Sequence, residues 1–180
     1  MHIYTKSEKE SIGRNLVEIF EKDSAINDNA KRFIANWILT SGQQKRNVYF
    51  DIWEEVLNSY LPKTRPVLFR STPRVYKNDR ISSFTSSLNC ADKFADNKGY
   101  LIVCDTEKYL KNQEEIYKFK SHYEKSFYPI FELLVKAKEN GGWGFSNHFF
   151  SSMHYYGEEE YIMKTSFEEM SIYKYCKKTL

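Results

Sequence analysis

The sequence predicts an α+β fold in which a helical N-terminal part packs on a mostly antiparallel sheet core. Two observations support this prediction. Apolar side chains recur at helical spacing through residues 1–61, whereas short apolar and aromatic runs bounded by Pro and Gly follow in residues 62–180. A chain of 180 residues is long enough to bury a sizeable core, so we expect a single domain over residues 1–180.

Three helices are predicted in the N-terminal part, each from apolar side chains that return every three or four residues. The first covers Ile12 to Phe20, the second Phe33 to Ile38, and the third Tyr49 to Tyr60. Ser41-Gly42 follows the second helix and Pro62 follows the third, and both are typical helix stops. These apolar stripes are interpreted as faces that pack in the core.

The remainder of the chain alternates between strand-like and helical segments. Helices are predicted over residues 88–97, with Ala91, Phe94 and Ala95 on one side, and over residues 127–137, while residues 106–121 are ambiguous. Strands are predicted over residues 66–70, 81–87, 100–104, 159–164 and 170–175.

The bulk features exclude several protein classes. No apolar run approaches the length of a membrane span, and the start of the chain lacks the apolar core of a signal peptide. Cys90, Cys104 and Cys176 are odd in number and widely spaced, without a disulfide framework or metal-ligand spacing. His148 and His154 lack partners at zinc spacing. We therefore expect a cytoplasmic protein that contacts no membrane and holds no metal.

Basic residues are concentrated between Lys63 and Arg80. This segment holds six Lys or Arg residues and the single acid Asp79, in a chain of formal net charge +3. Such a segment suits a phosphate-bearing ligand or an acidic partner, and it is equally typical of a solvated loop around a strand. Arg70 differs from the rest because apolar residues 67–69 precede it, which favours a buried position.

A pair of carboxylates stands at the entrance to a predicted strand, in the segment 157–163. In an extended chain, residues i and i+2 project to the same face. Glu158 and Glu160 are therefore expected to face one cleft, while Glu159 faces solvent. A run of Glu before a strand is usually a solvated edge, so its functional meaning depends on two earlier segments, residues 68–71 and 83–88.

In order and spacing, these three segments resemble the mono-ADP-ribosyltransferases, and Glu-x-Glu resembles the arginine-specific branch. The middle segment, Ser83-Phe84-Thr85-Ser86-Ser87-Leu88, is similar to the form found in phage-encoded members, and the resemblance covers roughly residues 66–175. The chain departs from the family pattern at Ser71, where Gly is usual, and at Leu88, where a third hydroxyl is usual. The resemblance implies a two-sheet, NAD-binding core over residues 62–180.

The resemblance also implies an activity and a setting. NAD would be the co-substrate, and the enzyme would transfer ADP-ribose to a protein, with arginine as the preferred acceptor. For a phage-encoded enzyme, the compartment would be the host cytoplasm and the target a host or defence protein.

Roles for the carboxylates follow from the resemblance and fit the chemistry of NAD. Nicotinamide leaves as a neutral base and the ribose carbon gains positive charge, so a fixed carboxylate beside the ribose stabilises the oxocarbenium-like transition state. The resemblance gives this role to Glu160, bonded to a ribose hydroxyl. Glu158 would orient and deprotonate the acceptor guanidinium.

The other site residues are assigned in the same way. Arg70 would hold phosphate or ribose oxygens of NAD through its planar fork, with Ser71 beside it at the nicotinamide. Ser86 would hydrogen-bond the carboxylate that faces the ribose. Tyr155 and Tyr156 lie where the family recognises its acceptor, and one of them would pack against the target side chain.

Two other classes stay open from the sequence. Ser71 and Leu88 allow a non-catalytic, partner-binding protein on the same fold. The segment from Lys63 to Arg80 allows a nucleic-acid-binding module, or an ADP-ribosyltransferase that acts on nucleic acid, which would show a steep salt dependence of binding. The short length of the basic segment makes nucleic acid the less favoured partner.

Overall fold

The computed structural model describes residues 3–40, 49–75, 81–95, 98–140, 144, 147–149, 151 and 158–175. Within these ranges the chain is α+β, with seven helices and one six-stranded antiparallel sheet. Three helices come first, as predicted: α1 (Lys6–Glu21), α2 (Asp28–Leu39) and α3 (Phe50–Ser59). In the described residues, no helix combines the length and apolar character that crossing a membrane requires.

Local hydrogen bonds define the starts of the first two helices. Thr5 and Glu8 form a capping box at the start of α1, which satisfies backbone N–H groups that lack helical partners. Asn27 caps α2 by accepting a hydrogen bond from Ala30 N at 2.9 Å. The side chain of Asn15 bonds to Ala25 O and Asn27 N across the intervening loop, at 3.0 and 2.9 Å. These contacts fix the path of the chain from α1 into α2.

The sheet runs in the order β4-β5-β2-β1-β3-β6. Its strands are β1 (Val67–Thr72), β2 (Ile81–Thr85), β3 (Tyr100–Asp105), β4 (Phe127–Pro129), β5 (Glu160–Lys164) and β6 (Ser171–Lys174). The later helices are α4 (Leu88–Ala95), α5 (Thr106–Tyr109), α6 (Gln113–Lys120) and α7 (Ile130–Glu139).

The two central strands of the sheet, β1 and β2, are joined by very few paired residues. β1 pairs with β3, and β2 with β5, along their full lengths. In contrast, the register between β1 and β2 consists of one pair, Phe69 opposite Thr85. The expectation of two sheets is not confirmed, because this pair joins all the described strands into one sheet. We call the β1–β2 junction the seam.

The two faces of the sheet bury two different cores. On one face, α1, α2, α3 and α7 pack over side chains that include Tyr128 and Ile162. On the other face, Phe127 and Met163 pack with Leu68 and neighbouring apolar residues. Adjacent residues of β4 and of β5 thus enter opposite cores, as strand alternation requires. The helical N-terminal part packs on the sheet, as the sequence predicts.

One element differs from its prediction. The helix expected over residues 127–137 begins only at Ile130, because residues 127–129 form β4 beside β5. Pro129 explains the difference, since the residue before a proline is directed away from helical backbone angles. Pro129 also suits this position because β4 is an edge strand of the sheet.

Candidate functional site

A cleft of about 570 Å³ lies at the seam, and both residues of the single β1–β2 pair line it. Its walls come from α2, β1, β2, α4, β5 and the residues just before β5. The lining residues that carry polar or titratable side chains include Arg70, Ser71, Ser83, Cys90, Glu158 and Glu160. A site of this kind follows from the fold, because an incompletely paired seam leaves space between two well-paired halves.

Glu158 and Glu160 both line the cleft, as their spacing predicts, whereas Glu159 is exposed. Glu158 is half-buried, and burial raises the pKa of its carboxyl above the ordinary value. The negative charge of Glu160 acts in the same direction on that pKa. A carboxyl with a raised pKa is a better proton acceptor near neutral pH than an ordinary glutamate.

Two donors hold one oxygen of Glu160. Ser83 Oγ donates to Glu160 Oε1 at 2.6 Å, and Trp37 Nε1 donates to the same oxygen at 3.2 Å. The strand register explains the first bond, because Thr85 lies opposite Glu160 and Ser83 lies two residues away on the same face. The second bond comes from α2, in a distant part of the sequence. The carboxylate is thus fixed from both the sheet and the helical layer.

Ser86 does not make the contact expected from the sequence. Its hydroxyl donates to Oε2 of the exposed Glu159, and Ser83 takes the predicted place beside Glu160. Ser86 follows the last residue of β2, Thr85, and adjacent residues in an extended chain project to opposite faces. The partner of Ser86 is therefore corrected from Glu160 to Glu159.

Arg70 is half-buried in the cleft and crosses the seam. Its Nη1 donates to the backbone carbonyl of Ser83 at 2.6 Å, which ties β1 to β2 near their single register pair. A guanidinium carries five N–H donors in a fixed planar fork. The same bond places a positive charge in the cleft with Glu158 and Glu160.

Ser71 occupies the position where the resembling family usually has Gly, and its side chain has a defined partner. Ser71 Oγ lies 2.9 Å from the hydroxyl of Tyr175, and that hydroxyl donates to Asp92 Oδ1 at 2.7 Å. Burial raises the pKa of the Tyr175 phenol, so it stays protonated at neutral pH. The extra side chain at position 71 is accommodated by a polar chain from β1 to α4.

Phe94 lines the cleft and is a largely exposed residue, with a relative solvent accessibility of 70%. The sequence grouped it with Ala91 and Ala95, but only those two are buried. An exposed aromatic ring beside a polar cleft can stack on a planar ligand. The helical periodicity of α4 does not indicate that Phe94 lies exposed beside a cleft.

Cys90 lines the cleft but is not suited to act as a nucleophile. It is buried, and burial is the main cause that raises the pKa of its thiol, with the charge of Glu158 adding to the effect. The thiol therefore stays protonated at neutral pH, whereas the thiolate is the reactive form.

Several predicted features fall outside the described residues. Tyr155 and Tyr156, the expected acceptor-binding pair, lie there, as do Lys77 and Arg80 of the basic segment. Within that segment, Arg65 donates to the backbone carbonyls of Pro62 and Thr64. In the described part of the chain, no group of three or more His, Cys, Asp or Glu side chains is arranged to hold a metal ion.

No family model, curated protein sequence or solved structure matches this chain. Its function is therefore inferred from the chemistry of the cleft.

Proposed function

We propose that the protein is an NAD-dependent mono-ADP-ribosyltransferase that modifies a protein target on arginine. The observation that carries the proposal is the pair of carboxylates, Glu158 and Glu160, in a cleft that also contains Arg70. The volume of about 570 Å³ lies within the range of small-molecule sites, roughly 300 to 1,000 Å³.

Glu160 would act on the ribose of NAD. When the bond between nicotinamide and the ribose carbon breaks, its electron pair leaves with nicotinamide and positive charge develops on the ribose. A carboxylate held in place beforehand stabilises that charge without having to reorganise during the reaction. The hydrogen bonds from Ser83 and Trp37 to Oε1 support this role, because they fix the carboxylate from two sides.

Glu158 would act on the acceptor. A guanidinium is a poor nucleophile while it is protonated, so a base must take one of its protons as its nitrogen bonds to the ribose carbon. The raised pKa of Glu158, caused by burial and by Glu160, suits a base that works near neutral pH. The proton lost by the acceptor would reside on Glu158 at the end of this step.

The rest of the cleft would bind NAD. Arg70 offers a planar set of donors to phosphate or ribose oxygens. The ring of Phe94 offers a surface for a planar base. The single-pair seam supports a core that works as two three-stranded halves with NAD between them, as in an ADP-ribosyltransferase-like core.

The reaction would take place in the cytoplasm, and in the host cytoplasm if the enzyme is phage-encoded. Cys90 and Cys104 are free thiols, and both are buried. Free thiols of this kind suit a reducing compartment.

Transfer to a simple guanidinium compound tests the proposed division of roles. Purified protein is incubated with NAD and agmatine, and mass spectrometry measures ADP-ribosyl-agmatine and free ADP-ribose. Glu158→Gln is expected to lower transfer about 100-fold while hydrolysis of NAD continues, because the base acts only on the acceptor.

The matched control is Glu159→Gln, the exposed neighbour, which is expected to keep both activities. Equal transfer by Glu158→Gln and the wild-type protein would contradict the assignment of the base. Hydrolysis without transfer by the wild-type protein would contradict arginine as the acceptor.

A further inference from the structure

Trp37 links the helical N-terminal part to the cleft, because its side chain donates a hydrogen bond to the cleft residue Glu160. It lies in α2, its ring is 2% exposed, and its Nε1 donates to Glu160 Oε1 at 3.2 Å. We infer that Trp37 is a positioning residue, which holds the carboxylate of Glu160 in the orientation that the reaction requires. This inference rests on the proposed function.

The ring of Trp37 is fixed on several sides. It packs edge-on against Trp53, with ring centroids 5.4 Å apart, and against Tyr49 at 6.5 Å. Phe50 adds a third aromatic contact, at 6.3 Å. A ring that is held in this way has little freedom to turn, so its N–H group has a fixed direction. The position of Glu160 is therefore tied to the packing of the helical layer.

The two donors act on the same oxygen. In the described part of the chain, Ser83 and Trp37 both donate to Oε1 of Glu160. Oε2 is then the oxygen that we assign to the ribose hydroxyl of NAD. Trp37 would not touch NAD and would act only through the orientation of Glu160. Loss of its N–H should lower the rate of the chemical step and leave the binding of NAD nearly unchanged.

Trp53 provides a matched control within the same aromatic cluster. Its ring is completely buried, and its Nε1 has no hydrogen-bond partner among the described residues. Trp37→Phe and Trp53→Phe therefore remove the same atoms from similar surroundings, and only Trp37→Phe removes a hydrogen bond to a carboxylate.

The experiment measures kcat and KM for NAD hydrolysis by the wild-type chain and by both variants, together with their thermal unfolding. Trp37→Phe is expected to lower kcat about tenfold, the effect of one lost hydrogen bond to a charged group, with KM for NAD within about twofold. Trp53→Phe is expected to keep both constants. A purely structural role would instead change kcat, KM and thermal unfolding together.

A second measurement does not depend on activity. The chain has three tryptophans, so the indole N–H signals in a nitrogen-labelled sample can be assigned by single substitutions. The Trp37 signal is expected to move in Glu160→Gln, where a charged acceptor becomes neutral, while the Trp53 signal stays in place.

Three results would overturn the positioning role. One is equal kcat for Trp37→Phe and Trp53→Phe. Another is a Trp37 indole signal that is unchanged in Glu160→Gln. This measurement does not use the Trp37→Phe protein, so it decides the question even if that variant does not fold. The third is a folded wild-type protein that does not cleave NAD, which would overturn the proposed function and this role with it.

Discussion

At the scale of residues, two serines three positions apart donate hydrogen bonds to different carboxylates. Ser83 Oγ donates to Glu160 in the cleft, and Ser86 Oγ donates to the exposed Glu159. The alternation of side chains along an extended strand accounts for this division, because residues separated by an odd number of positions face opposite ways. The chemistry of Glu160 should therefore depend on Ser83 and not on Ser86.

This division gives a direct comparison of Ser83→Ala with Ser86→Ala. A hydrogen bond to a charged group contributes about 1.5 to 3 kcal/mol, so Ser83→Ala should lower kcat for NAD cleavage by at least about tenfold. Ser86→Ala should stay within about twofold of the wild-type protein. Steady-state kinetics on both variants checks the prediction, and a larger loss in Ser86→Ala would restore the assignment made from the sequence.

The sequence predicted the carboxylate pair but not the groups that hold it. The i and i+2 spacing of Glu158 and Glu160 determines a shared face once a strand follows, and both line the cleft. Trp37 could not be predicted, because it reaches Glu160 from α2 through tertiary packing alone. The contact of Ser83 with Glu160 follows from the strand register, but only once β2 is known to pair with β5.

At the scale of elements, the turn that leads into β3 depends on the backbone conformation of Gly99 and is connected to the candidate site by hydrogen bonds. Gly99 has φ +85°, and a Cβ added there would lie 2.3 Å from Thr72 O. Its carbonyl accepts a hydrogen bond from Tyr175 N at 3.0 Å, and Tyr175 in turn contacts Ser71 through its hydroxyl. The position of Gly99 thus affects both the β1–β3 pairing and the position of Tyr175, whose hydroxyl contacts the cleft residue Ser71.

Gly99→Ala is expected to destabilise the protein by roughly 2 to 3 kcal/mol, because the left-handed backbone and the contact with Thr72 O both oppose a side chain. Chemical denaturation measures the change in the free energy of unfolding. Gly144→Ala serves as the control, since an added Cβ there meets nothing within 4 Å, and it should be nearly neutral. Equal stability of the two variants would contradict the strained turn.

Most elements were predictable because their periodicity or composition is strong. The three N-terminal helices overlap their predicted ranges, although α1 and α2 begin six and five residues earlier, and strands such as β3 lie close to theirs. β4 was missed because three residues are too few to show an alternating pattern. The exposure of Phe94 was not predicted, because helical spacing shows which residues share a face of α4 but not whether a neighbouring element covers that face.

At the scale of the whole molecule, the helical layer and the sheet form one structure around the cleft. Tyr128 of β4 is completely buried among the N-terminal helices, and its hydroxyl donates to Leu16 O at 2.9 Å. Trp37 extends the same layer to Glu160. The sequence predicted that the helices pack on the sheet. The single-pair seam was not predictable, because it depends on how far two central strands stay paired.

The most direct test of the proposed function is the release of nicotinamide from NAD by the wild-type protein and by Glu160→Gln, followed by chromatography. The wild-type protein is expected to release nicotinamide, and Glu160→Gln to do so at a rate at least about 100-fold lower. Both proteins should show the same thermal unfolding, because glutamine keeps an oxygen that accepts the bonds from Ser83 and Trp37. Equal rates for the two proteins, or no release by a folded wild-type protein, would contradict the proposed function.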